Sequence, residues 1–158
     1  MKPIRSLWLL LAGLCLAGCG GAPKQAPAWT LPDVDGKPVH STEFAGKVVV
    51  LDFWATWCPP CKMEIPGFVE LQKKYAAQGL VVVGISLDQD GPNVVREFMK
   101  AQGINYPVVM GDNAVQTSFG GVEGIPTTFV IDRTGKIVEK HVGSAPKEAF
   151  EATIKKLL

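Results

Sequence analysis

Cysteine and histidine are both scarce in this chain. Among 158 residues there are four cysteines, at positions 15, 19, 58 and 61, and two histidines, His40 and His141. That leaves no set of widely spaced cysteines to staple distant segments together. It also leaves too few ligands around any cysteine pair for the four-coordinate site of a structural zinc ion. An excess of charge is missing as well: sixteen basic residues face fifteen acidic ones, and the formal net charge is +1. Without a basic stripe and interleaved aromatics, no nucleic-acid surface is expected. No apolar run approaches the roughly 20 residues of a membrane span. The longest, residues 7–17 (LWLLLAGLCLA), is about half of that. No internal repeat is visible, and the length suits one domain with a full core.

What is present begins with that run. Lys2 and Arg5 precede it and small residues follow it, the pattern of an export signal. Its end, Leu16-Ala17-Gly18-Cys19, resembles a bacterial lipobox. The resemblance implies cleavage before Cys19 and acylation of its thiol, with ordinary secretory cleavage as the alternative. Each buried acyl methylene is worth roughly 0.8 kcal/mol, so several chains would anchor the protein. Residues 20–28 (GGAPKQAPA) lack apolar periodicity and read as a flexible tether. The expected organisation is a lipoprotein signal peptide over 1–18, a lipidated N-terminus and tether over 19–28, and one domain over 29–158. Without Lys2 and Arg5 the net charge becomes −1. Cys15 leaves with the signal and Cys19 goes to lipid, so Cys58 and Cys61 are the thiols left for chemistry.

Within 29–158 the pattern alternates between strand and helix. Asp35-Gly36 separates two short extended pieces, 29–31 and 37–40, which predicts a hairpin. A helical turn is expected from Ser41. Residues 47–54 (KVVVLDFW) and 80–87 (LVVVGISL) read as buried strands. Helices are expected over 60–78, 93–102, 114–119 and 146–158, two of them ended by Gly79 and Gly103. Further extended segments are expected over 106–110, 127–131 and 136–142. Two early strands joined by a helix imply a right-handed parallel unit. The C-terminal hairpin makes the sheet mixed, in an α/β fold with helices on both faces.

Cys58-Pro59-Pro60-Cys61 lies between the first buried strand and the first long helix, the context that gives Cys-x-x-Cys its redox meaning. A helix N-terminus stabilises a thiolate. Cys58, near the N-cap, should therefore be the more acidic and more exposed cysteine, the one that attacks a disulfide. Cys61 would then resolve the mixed disulfide. Pro59 and Pro60 supply no backbone N–H, so the Cys58 thiolate should draw on fewer donors than usual, which favours a reductant. Asp52 interrupts an apolar run, where a carboxylate is costly to bury without a partner. Trp57 adjoins the pair, whereas His40 and His141 read as solvated strand residues.

The segment from Phe53 to Pro66 (FWATWCPPCKMEIP) resembles the TlpA/ResA/DsbE group of thioredoxin-like proteins, and 124–132 (GIPTTFVID) resembles the group's second signature. The likeness covers essentially all of 29–158. It implies a thioredoxin-like fold with an extra N-terminal β-hairpin and an inserted helix. It also implies an extracytoplasmic thiol–disulfide oxidoreductase, needing no cofactor beyond the Cys58–Cys61 disulfide, often serving cytochrome c maturation. Its partners would be exported cysteine-containing proteins such as apocytochrome c and a membrane thiol electron donor, with the protein working as a monomer. Pro126 should be cis and turn the Ile125 backbone towards the cysteines, with Ile125, Pro126 and Trp57 contacting substrate. Asp52 would handle the proton of Cys61. Asp88 or Gln89, after the second strand, could take the position where ResA-like proteins place an active-site Glu, and the lack of a Glu there puts that proton role in doubt. Glu64 fits the group's Glu-x-Pro pattern, although an acid in a helix's first turns is favoured in any case. The competing classes are a thiol peroxidase, which would use one cysteine without this pair, and a copper-delivery protein, which would need a wider cysteine spacing and a well-placed histidine. A non-catalytic binding module would not need the intact pair.

Overall fold

The computed structural model describes residues 24–158. The expected hairpin is a two-stranded antiparallel sheet, β1 (Thr30–Pro32) and β2 (Pro38–His40). Its turn is held by Asp33, whose Oδ1 accepts from the N–H of Asp35 and of Lys37. A 3₁₀ turn, Ser41–Phe44, leads into β3 (Val48–Trp54). Then follow α1 (Pro59–Tyr75), β4 (Leu80–Ser86), α2 (Pro92–Gln102), β5 (Val108–Met110), α3 (Asn113–Ser118), β6 (Thr127–Ile131), β7 (Ile137–Val142) and α4 (Lys147–Leu157). The main sheet has the order β5-β4-β3-β6-β7. β3, β4 and β5 run parallel, while β6 and β7 are antiparallel to their neighbours. This is the mixed thioredoxin-like sheet with the additional N-terminal hairpin.

The central strands are buried on both faces, so side-chain alternation sorts them into two cores. Val48, Val50 and Trp54 of β3 pack with Ile65 and Phe68 of α1, Val95 of α2, and Phe150 and Ile154 of α4. Val49, Leu51 and Phe53 point the other way, to Leu31 of the hairpin and to Val115 and Phe119 around α3. Asp52 falls on the first face, the one beneath α1.

Two expectations change at their edges. The helix expected to reach residue 78 is α-helical only to Tyr75, and Ala76–Gln78 tightens into a 3₁₀ turn before Gly79 at φ 97°. The chain is already docked at Lys24, within the segment expected as tether and ahead of the expected domain start at 29. The Ile137 N–H donates to the Lys24 carbonyl and the Ala26 N–H to the Gly135 carbonyl, both at 2.9 Å. Gln25 thus bridges to Lys136 at the start of edge strand β7, where backbone groups not used by β6 are free to pair. The expected signal peptide, Cys15 and Cys19 lie outside the described residues. Among the described residues, no helix is long and apolar enough to cross a membrane.

Candidate active site

α1 begins at the C-terminal end of β3, and its first residues build the site. Cys58 is the N-cap, with Pro59 and Pro60 in the first two helical positions, where a missing N–H costs nothing and the fixed φ suits the helix. Cys58 and Cys61 are joined by a disulfide. The Cys61 N–H donates to Cys58 Sγ at 3.3 Å, and the next one, of Lys62, donates to the Cys58 carbonyl. One backbone donor therefore serves the sulfur, as the Pro-Pro pair implies. The expected contrast in exposure is small: Cys58 is 3% accessible and Cys61 0%. The open surface belongs to their neighbours, Trp57 at 61% and Met63 at 71%.

Opposite the helix start, Ile125-Pro126 is cis, and the Ile125 carbonyl oxygen lies 3.8 Å from Cys58 Sγ. Asp88 braces the chain on the other side. Its carboxylate accepts from the Thr56 N–H, at 3.2 and 3.0 Å to its two oxygens, and from the hydroxyls of Thr56 and Ser86. The bonds from Thr56 hold the loop that delivers Trp57 and Cys58, while the Ser86 hydroxyl ties the carboxylate to the end of β4.

Two carboxyl groups are buried under the helix start. Asp52 is 2% accessible and takes one side-chain hydrogen bond, from Thr128 Oγ1 at 3.1 Å. Burial, reinforced by the charge of Glu64 and only partly offset by that hydroxyl, pushes its pKa up to about 8. Glu64 is also buried; its Oε1 accepts from the Ala145 N–H at 2.6 Å while Oε2 has no partner. Its pKa is raised by burial, against the Ala145 N–H and the charge of His141. Tyr106 is pushed upward as well, by burial and then by the charges of Asp52 and Glu64. Among the described residues, no group of three or more His, Cys, Asp or Glu side chains could hold a metal ion.

A reversible disulfide at a helix N-terminus, flanked by a carbonyl and backed by buried acids, is equipped for thiol–disulfide exchange. The family model for Redoxin matches residues 22–158. The chain belongs to the Redoxin family. This redoxin is 37% identical over 135 residues to the thiol-disulfide oxidoreductase ResA of Bacillus thuringiensis (strain Al Hakam), covering 85% of this chain and 77% of that one. It is 40% identical to a thiol:disulfide interchange protein of the thioredoxin family from Chlorobium tepidum TLS, whose crystal structure superposes with a TM-score of 0.79 over 86% of this chain and 97% of the other. A second Chlorobium tepidum structure, described as a putative thiol:disulfide interchange protein DsbE, matches at 36% identity and TM-score 0.79, over 85% and 96% of the two chains. The redoxin is thus a thiol–disulfide oxidoreductase of the ResA and DsbE type with a Cys-x-x-Cys disulfide.

The structure brings Cys58, Cys61, Ile125 and Pro126 together, with Asp52 beneath them and Trp57 alongside. Neither candidate for the family's Glu position stands free at the site: the Asp88 carboxylate is taken up by the loop and Gln89 is exposed. The second buried acid is Glu64, three residues after Cys61 and so one helical turn further along the same face. That spacing was the available signal. His141, taken as solvated, is half-buried against Phe150, as the alternation along β7 would indicate.

The raised pKa of Asp52 has a consequence for stability. The folded protein keeps a proton that the unfolded chain surrenders above about pH 4, so stability should fall as pH rises from about 4 to about 8. Asp52→Asn should flatten this slope by up to about 1.4 kcal/mol per pH unit, one proton's worth, leaving the part due to Glu64. Urea denaturation of the disulfide form at several pH values checks this. A variant with the wild-type slope would mean that Asp52 titrates normally in the folded protein.

Proposed function

We propose that this redoxin is an extracytoplasmic, membrane-anchored disulfide reductase for exported cysteine-containing proteins, apocytochrome c being a client that the family resemblance implies. The observation carrying the direction is the single backbone donor to Cys58 Sγ. A thiolate at a helix start normally draws on several free N–H groups, and here two of the first three are replaced by prolines. Weaker stabilisation of the thiolate disfavours the reduced form and makes the dithiol a better electron donor.

The geometry supports the following reaction. The Cys58 thiolate attacks one sulfur of the substrate disulfide, forming a mixed disulfide and expelling the other sulfur as a thiolate. The partner chain lies extended beside the cis peptide, where the Ile125 carbonyl and N–H offer strand-like hydrogen bonds and Trp57 and Pro126 frame its side chains. Cys61 gives its proton to Asp52 in its carboxylate form, populated as the pH approaches about 8, and the Cys61 thiolate attacks Cys58 Sγ. That closes the Cys58–Cys61 disulfide and releases the reduced substrate, two electrons having passed from the dithiol. Return to the dithiol requires a membrane-embedded thiol carrier as donor, again on the family resemblance.

The reduction potential tests the direction. Equilibration with dithiothreitol and glutathione buffers, read by thiol labelling, should give a value nearer to the about −270 mV of thioredoxin than to the about −120 mV of DsbA. A value close to the latter would make the protein an oxidase. The anchor rests on the lipobox-like sequence, and Cys19→Ser should release the protein from membranes; a variant that survives a salt wash on the membrane contradicts a lipid anchor at Cys19.

A further inference from the structure

Apart from Ser86 and Glu139, the polar side chains on the sheet face beneath α1 form one row. Asp52 of β3 stands opposite Thr128 of β6, and Thr128 stands opposite His141 of β7. Directly opposed residues point to the same face. Three polar side chains therefore stand side by side across three strands, from beneath the disulfide to the edge of the sheet. Asp52 and Thr128 are buried, and His141 is half-buried. The inner link is the 3.1 Å hydrogen bond from Thr128 to Asp52. At the outer link, opposed Cβ atoms lie about 4.5–5.5 Å apart; no hydrogen bond joins the imidazole to the Thr128 hydroxyl in the disulfide form, so the two groups must close on each other before a proton can pass. The His141 ring is fixed edge-on to Phe150 of α4, with centroids 5.8 Å apart at 87°.

Disulfide exchange makes a demand that this row can meet. Cys61 and Asp52 are both sealed from solvent, at 0% and 2% accessible. When Cys61 gives up its proton the carboxyl that receives it has no direct exit, yet it must discharge before it can serve again. We propose that His141 is the solvent-side port for this proton, reached from Asp52 through the Thr128 hydroxyl. The inference rests on the disulfide-reductase reading. The Cys61 S–H bond breaks and its proton goes to Asp52; the electron pair left on Cys61 Sγ forms the bond to Cys58 Sγ as the bond from Cys58 to the substrate sulfur breaks. Once protonated, Asp52 donates to the Thr128 oxygen instead of accepting from it, and passes its proton there as the hydroxyl's own proton turns to the imidazole and goes from there to water. Imidazole both accepts and releases protons near neutral pH.

The other charged groups around His141 are accounted for. Glu64 covers the row from α1 and feels the charge of His141. Glu139, two residues back on β7, accepts from Thr153 of α4. On α4, Lys147 pairs with Glu70 of α1, and Glu151 pairs with Lys74 of α1 and with Lys155; Glu148 and Lys156 are the helix's other charges.

The test is single-turnover reduction of a disulfide by the fully reduced protein, in dilute buffer and with added imidazole. His141→Gln keeps the size of the side chain but cannot carry a proton. Its resolution step should slow about tenfold or more in dilute buffer and recover with imidazole. Wild type and His40→Gln, altered at the distant histidine of β2, should be insensitive to imidazole. Thr128→Val, which removes the hydroxyl and keeps the shape, should slow the same step and carries the test if His141→Gln does not fold. A wild-type rate for either variant in dilute buffer overturns the proposal. So does a slow His141→Gln that imidazole does not restore, since that marks packing against Phe150. A wild-type protein that reduces no disulfide defeats the reductase reading and this inference together, whereas an active wild type with an unaffected His141→Gln defeats this inference alone.

Discussion

Asp52 is the one carboxyl in a strand whose seven residues are all buried, and the site depends on how the fold tolerates it. Among the described residues no basic side chain pairs with it; a single hydroxyl does, and a second buried acid, Glu64, opposes its ionisation. An isolated buried carboxylate is expensive, so the neutral form prevails in the resting disulfide. That expense is what makes the group useful. A carboxyl poised to ionise near neutrality can take and return the proton of a sealed neighbouring thiol, whereas an ordinary surface aspartate would stay ionised.

The rest of the architecture sets two sulfurs above that acid. The parallel pair β3–β4 ends at one level, and the turn after β3 is tied to the segment after β4 by the Asp88 carboxylate and by the Leu87 N–H donating to the Trp54 carbonyl. The helix start is thereby fixed, with Cys58 outermost and the Ile125 carbonyl across from it. Pro59 and Pro60 strip that start of donors without disrupting it. In the proposed reaction, helix dipole and prolines bear on the thiolate of Cys58, and the buried acid on the proton of Cys61.

Much of this was legible in the residues. The β-rich runs, the glycine stops and the Cys-x-x-Cys after a strand gave the element order, because each is a local signal. Asp52 stood out because a charge inside an apolar run is locally anomalous. What escaped was carried by tertiary placement. Asp88 follows a strand among other polar residues, and nothing local reveals that its oxygens brace a loop 32 positions earlier. Glu64 looked like an ordinary first-turn acid, and only the packing of α1 over β3 buries it. His141 lies in a strand of alternating exposure, and its facing Thr128 depends on a register that a bulge between Val130 and Ile131 resets. The docking of Lys24 to Ala26 on the start of β7 was hidden behind a composition that reads as linker.

The account divides the labour unequally between the two cysteines, with Cys58 meeting the substrate and Cys61 acting from within. The most direct measurement is trapping. Reduced Cys61→Ala and Cys58→Ala proteins are each incubated with a disulfide-bonded peptide and analysed by mass spectrometry under non-reducing conditions. The account predicts a long-lived mixed disulfide through Cys58 in the Cys61→Ala protein and little or none in the Cys58→Ala protein; accumulation through Cys61 instead would contradict it.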